Sequence, residues 1–164
     1  MPRIVRLIRP TTLVVGEGDA ECILLKMLRD GLCSQRKGPS VTIRNAKGKG
    51  AKSVINDAIR IGKHGSYNTV AALFDTDTDW SDKTRSLGAK AKIIMLTQTP
   101  CIEGVVLQVN QHATSNTTEA CKREFERIYG GPAHTHLKRS VSLDALLEAE
   151  QRVPEIHSLI GIFR

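Results

Sequence analysis

The sequence predicts an α/β fold: a mostly parallel four-stranded sheet flanked by helices, with a helical C-terminal extension. Three observations carry that expectation. Strand-like and helix-like segments alternate in the order β-α-β-α-β-α-β, the links between them are short, and after Pro100 the pattern turns wholly helical. At 164 residues the chain suits one domain. Residues 1–110 are expected to form the α/β core and residues 111–164 a helical extension of the same domain.

The first strand is Thr11-Thr12-Leu13-Val14-Val15-Gly16, an apolar run that stops at glycine. Asp19 then stands where an N-cap belongs. The spacing of Ile23 with Met27 and of Leu24 with Leu28 is helical, and Gly31 marks the expected stop. Gly38-Pro39 breaks the chain before a short strand, Val41-Thr42-Ile43. The turn Asn45-Ala46-Lys47-Gly48-Lys49-Gly50 leads into a second helix with Val54, Ile55, Ala58, Ile59 and Ile61 on its apolar face. Thr69-Val70-Ala71-Ala72-Leu73-Phe74 is the strongest strand and ends abruptly in Asp75-Thr76-Asp77-Thr78-Asp79-Trp80. Ser81 caps a short helix through Leu87. Residues Ala91 to Leu96 give the fourth strand, closed by Thr97-Gln98-Thr99-Pro100. Helical patterns follow from Cys101 to Val109, Thr117 to Tyr129 and Leu143 to Glu150, with Gly130-Gly131-Pro132 as a firm break.

Composition narrows the function. Hydrophobic residues make up 40% and charged residues 25%, too apolar for a disordered chain. No apolar run approaches the roughly 20 residues that span a bilayer, and the segment from Met1 to Arg6 has no signal-peptide apolar region. A cytoplasmic protein without a membrane partner is expected. The net charge of +7 favours a polyanionic partner, nucleic acid above all. Cys22, Cys33, Cys101 and Cys121 form no CxxC pair, against a disulfide scaffold or zinc ribbon and in keeping with a reducing compartment. Aromatic residues, at 4%, are too few for a base-stacking platform.

The acids at the strand ends carry the chemistry. Parallel α/β sheets bind ligands beyond the carboxyl ends of their strands, where connections diverge. Glu17 follows the first strand, and Asp75 and Asp77 follow the third. If those strands are neighbours, three carboxylates share one crevice, an arrangement that is costly unless a cation neutralises it. Oxygen donors without cysteine or histidine suit Mg²⁺ or Mn²⁺, and such an ion polarises a phosphoryl oxygen and activates water. Arg44, Lys47, Lys49 and Lys52 make the turn before the second helix basic, with backbone amides and lysines placed to hold phosphate. The alternative at both places is a solvated turn.

Other patterns fail on their details. Asp75-x-Asp77-x-Asp79 opens like a calcium loop, but Trp80 replaces the turning glycine and Ser86 the bidentate glutamate. Lys52-Ser53 invites comparison with a GxxxxGK[ST] loop, but Ala46 and Ala51 replace both glycines. His134 and His136 with Cys121 lack zinc-finger spacing. Cys101 has no cue for a nucleophile. A phosphoacceptor receiver using Glu17, Asp19, Asp75 and Thr97 remains an alternative that needs a fifth strand ending in lysine.

Gly16-Glu17-Gly18-Asp19-Ala20-Glu21 after one strand, Asp75-Thr76-Asp77 after another and Pro100-Cys101-Ile102-Glu103 after a fourth together resemble the Toprim superfamily, which has a Rossmann-like sheet. Within it the chain looks most like the small RloB-like proteins of restriction or anti-phage loci, over about residues 11–109. The resemblance implies that Glu17 is the general acid or base of phosphodiester chemistry and that Asp75 and Asp77 bind Mg²⁺ (or Mn²⁺). Glu103 is the fourth metal candidate, or else a first-turn glutamate that complements a helix dipole. Topoisomerase and primase bodies are missing. The expected function is therefore a metal-dependent nuclease, with Lys47, Lys49 and Lys52 on the nucleic-acid backbone. A non-catalytic module that binds nucleic acid or a protein partner in a defence complex is the alternative.

Overall fold

A computed structural model describes residues 8–164, apart from the Arg36 side chain, so the Met1–Arg6 segment read for a signal peptide lies outside the described residues. The elements run β1 (Thr11–Gly16), α1 (Asp19–Leu32), a single 3-10 turn (Ser34–Arg36), β2 (Ser40–Asn45), α2 (Gly50–His64), β3 (Thr69–Asp75), α3 (Asp82–Lys90) and β4 (Ile94–Gln98). The helices α4 (Ile102–Val109), α5 (Thr118–Tyr129), α6 (Ala133–Ser140), α7 (Leu143–Ala149) and α8 (Pro154–Gly161) complete the chain.

The four strands form one sheet in the order β2-β1-β3-β4, and every pairing is parallel. The expectation of a mostly parallel sheet is met by a wholly parallel one, flanked on both faces by helices. Because the central strands β1 and β3 are buried on both sides, their two sets of alternating residues go to different cores. Val14, Ala71, Leu73 and Leu96 face a core shared with α1 and α4–α8, through residues such as Leu24, Leu28, Val105, Phe125, Leu146 and Ile156. Leu13, Val15, Ala72 and Phe74 face a smaller core with Val54, Ile55 and Ala58 of α2, against which Leu87 of α3 packs.

From β1 the chain passes to β2 on one side, and from β3 it passes to β4 on the other. The divergence point between β1 and β3 is where a crevice opens in such sheets. Glu17 and Asp75 stand there.

Several boundaries differ from expectation. The N-cap of α1 is Gly18, not Asp19. Glu21 reaches back to accept a hydrogen bond from the Gly18 amide at 2.9 Å, satisfying a donor that the helix start leaves free. Gly31 does not stop α1. It lies where a Cβ would come within 2.3 Å of Leu143 Cδ2, so its smallness serves the packing of α1 on α7. The fourth strand starts at Ile94 rather than Ala91, because α3 continues to Lys90 and the chain must then turn, with Lys92 at φ 57°. That shift draws Thr97 and Gln98 into the strand. Helices α6 and α8 were not anticipated; Pro154 in the first turn of α8 is a start signal that the sequence does contain.

Candidate acidic site

The acids of the site are set by backbone pairing. β1 and β3 are direct neighbours, with Gly16 opposite Leu73. The ladder runs one step further, since the Glu17 amide donates to the Leu73 carbonyl at 2.9 Å. The Glu17 carboxylate then folds across the strand ends and accepts from the Asp75 amide at 3.0 Å. Asp75, the last residue of β3, turns its carboxylate to the start of α4 and accepts from the Ile102 amide at 3.0 Å. An anion is favoured there by the unpaired amides and dipole of the helix N-terminus. Asp77, exposed one turn beyond, accepts from Thr118 Oγ1 of α5 at 2.9 Å.

Two more carboxylates underlie these. Glu21 and Glu103 are 5% and 8% exposed, respectively, and Glu103 Oε2 is buried without a hydrogen-bond partner. Gln98, wholly buried on β4 and opposite Asp75 in register, likewise leaves both side-chain polar atoms unpaired. Buried polar atoms are rarely left so. Three such atoms, on two side chains next to Asp75 and the start of α4, leave polar valences that a bound water, proton or ion would satisfy.

The electrostatics agree. Burial foremost, and then the charges of Glu21, Glu17, Glu103 and Asp77, push Asp75 up to about 9. Burial also raises Glu21 to about 7, with Glu17 and Glu103 adding to it against the pull of backbone hydrogen bonds. Glu17 is raised by burial and by Asp77 and Asp79, opposed by the amides of Asp75 and Gly50. The cluster therefore resists carrying its full negative charge. One cation answers it from the protein itself: burial disfavours the charge of Lys122, but Glu103, Asp77 and Asp75 outweigh burial and raise its pKa. Lys122 and Thr118 lie four residues apart on one face of α5. Gly104 lets α5 come close, since a Cβ there would stand 3.1 Å from Cys121 Sγ.

Among the described residues, no three histidine, cysteine or acidic side chains converge as a ready group for one metal ion. The set from Glu17, Asp75, Asp77 and Glu103 fits a hard divalent cation in its all-oxygen chemistry, its excess of negative charge and its orphaned Glu103 oxygen. Three of its carboxylates are instead hydrogen-bonded within the protein, Glu17 to the Asp75 amide, Asp75 to the Ile102 amide and Asp77 to Thr118.

The basic turn lies at the same end of the sheet. The Gly48 amide donates to the Glu17 carbonyl at 2.7 Å, and Lys47, Lys49 and Lys52 are exposed. The start of α2 is not an open phosphate cradle, however. The Asp79 carboxylate accepts from the Lys52 amide there at 3.3–3.4 Å, and so occupies it. Cys101, the N-cap of α4, is fully buried, and burial holds its thiol above the ordinary range, as a structural residue rather than a nucleophile. After β4 the described chain is helical, so the receiver alternative lacks its fifth strand.

The sequence brought out Glu17, Asp75, Asp77 and Glu103 but not Glu21, Gln98, Thr118 or Lys122. Glu21 had a signal in its position three residues after Gly18, the spacing of a capping box. Gln98 followed a mis-set strand boundary, and Thr118 and Lys122 come from a helix whose docking no local pattern announces. No protein-family model, no curated protein and no solved structure matches the chain. Among the described residues, no helix is long and apolar enough to cross a membrane.

Proposed function

We propose that the protein is a Toprim-type, metal-dependent nuclease of the RloB-like kind that hydrolyses nucleic-acid phosphodiesters. The observation that carries this reading is the pairing of Glu17 with Asp75 at the sheet's divergence point, backed by Asp77 and the buried, half-orphaned Glu103. Asp75, Asp77 and Glu103 are the residues that would hold Mg²⁺ or Mn²⁺, with Glu17 beside them. Such an ion, when bound, supplies charge neutralisation at the phosphoryl oxygens and a more acidic water.

The chain's own residues do the rest. Glu17, with its raised pKa, takes the proton of the attacking water, a role favoured when a carboxylate's pKa moves toward neutrality. Lys122 faces the charge that builds on the phosphoryl group and the leaving oxygen. Lys47, Lys49 and Lys52 contact the phosphate backbone without reading bases, so sequence preference is weak and binding falls steeply with salt.

A non-catalytic module is favoured by one observation: the Glu17, Asp75 and Asp77 carboxylates accept from two amides and a hydroxyl, and no three acids converge as a ready group for one metal ion among the described residues. Incubating the protein with Mn²⁺ and labelled single- and double-stranded DNA and RNA separates the two readings. Metal-dependent products from the native protein, lost in Glu17→Gln, support the nuclease. A gel shift without products under every metal supports the module.

A further inference from the structure

A cavity of about 360 Å³ lies between α2 and α3, on the opposite face of the sheet from α1 and α4–α8, and its charged lining residues are all lysines. Lys52, Lys83 and Lys90 line it together with Thr84, Ser86 and Leu87, and no acidic side chain is among those lining residues. None of the three lysines makes an ion pair among the described residues. Three exposed lysines line one concavity with no carboxylate among them, a surface whose charge complements a polyanion.

The groove is tied to the acidic site through Asp79. Its carboxylate accepts from the Lys52 amide on the α2 wall, and its carbonyl accepts from Thr84 Oγ1 of α3 at 2.9 Å. Asp79 is two residues beyond Asp77, so the groove opens beside the crevice. Lys83 and Lys90 are seven residues apart, about 10 Å along the helix axis. They extend the basic track away from Lys52 over more than one nucleotide's length. Beside the track, Arg85 stacks over the Trp80 ring at 5.3 Å from its centroid.

We propose that this α2–α3 groove is a nucleic-acid backbone site, with Lys83 and Lys90 holding phosphates of the strand that flanks the acidic crevice. A chain of regularly spaced phosphates matches a linear series of lysines, whereas a single free phosphate would leave most of them unmatched. The proposal rests on the nuclease reading for its orientation toward the crevice, but the binding it describes is measurable without cleavage.

The test uses fluorescence anisotropy of short fluorescein-labelled DNA and RNA oligonucleotides with Glu17→Gln protein in EDTA, over a range of salt. Changing Lys83 and Lys90 together to alanine should raise Kd about tenfold or more. It should also lower the magnitude of the log K against log salt slope by about 1.4 for single strands or about 1.8 for duplex. The control changes Lys138 and Arg139, on α6 across the sheet, to alanine and should move neither quantity. An unchanged Kd and slope in the Lys83/Lys90 variant, absence of oligonucleotide binding altogether, or tighter binding of polyglutamate than of any oligonucleotide would each overturn the proposal. Lysine-dependent binding by a protein that never cleaves would remove the nuclease reading and leave the groove standing.

Discussion

Asp75 concentrates the physical tension of the molecule. In the unfolded chain it ionises near pH 4, whereas in the fold burial and four neighbouring carboxyl groups hold it to about 9. Between those values the native state keeps a proton that the unfolded state has released. Stability is therefore fully present below about pH 4 and declines as pH rises toward about 9. Glu21 adds the same sign of dependence up to about pH 7. Urea unfolding of metal-free protein across that range should show the midpoint falling with pH. Asp75→Asn should flatten the trend and unfold at the same temperature as native protein or higher, because the amide oxygen still accepts from Ile102. The same variant should have no nuclease activity. Lys122→Ala should fold normally and lose about 10²-fold in cleavage, the scale of a lost charge-stabilising group; activity within twofold of native protein would remove Lys122 from the site.

At the scale of elements, the acids are held where they are by turns and helix starts. Gly50 opens α2 at φ 81°, and a Cβ there would lie 2.7 Å from the Asp79 carboxylate. Gly50→Ala should therefore cost about 1–2 kcal/mol from backbone conformation alone, read as a lower urea midpoint, with more from the displaced Asp79. Most of this scaffold was legible. The ends of β1 and β3 are explicit in the apolar runs that glycine and aspartate interrupt, and Ser81 caps α3 as its position suggests, accepting from the Thr84 amide. What was not legible depends on contacts distant in sequence. The close fit of Gly31 against Leu143 reads locally as a helix stop, and the turn at Lys92 reads as strand because its neighbours are β-branched or apolar. The pairing of Glu17 with Asp75 followed once the strands were taken as neighbours. The hydrogen bond from the Ile102 amide to the Asp75 carboxylate did not, since it depends on how the start of α4 docks at the strand ends.

Across the whole molecule, the helices after Val109 are part of the core rather than an attachment. Leu137, Leu146, Ile156, Leu159 and Phe163 are essentially inaccessible to solvent and pack with the sheet residues Val14 and Leu73 in one cluster. A fragment ending at residue 110 would expose that sheet face. It should show no cooperative thermal transition by circular dichroism, and a sharp transition would mark residues 8–110 as an independent unit. The extension also brings Thr118 and Lys122 to the acids, so site and core depend on the same docking. A metal site forms only when the strand-end carboxylates exchange their hydrogen bonds within the protein for a shared cation. Crystals soaked in Mn²⁺ and measured at the manganese absorption edge test this most directly. The predicted result is an anomalous peak between the ends of β1 and β3, about 2.1 Å from oxygens of Asp75 and Asp77, with Glu17 released from the Asp75 amide. Fully soaked crystals with no peak there, and Glu17 still bound to that amide, would contradict it.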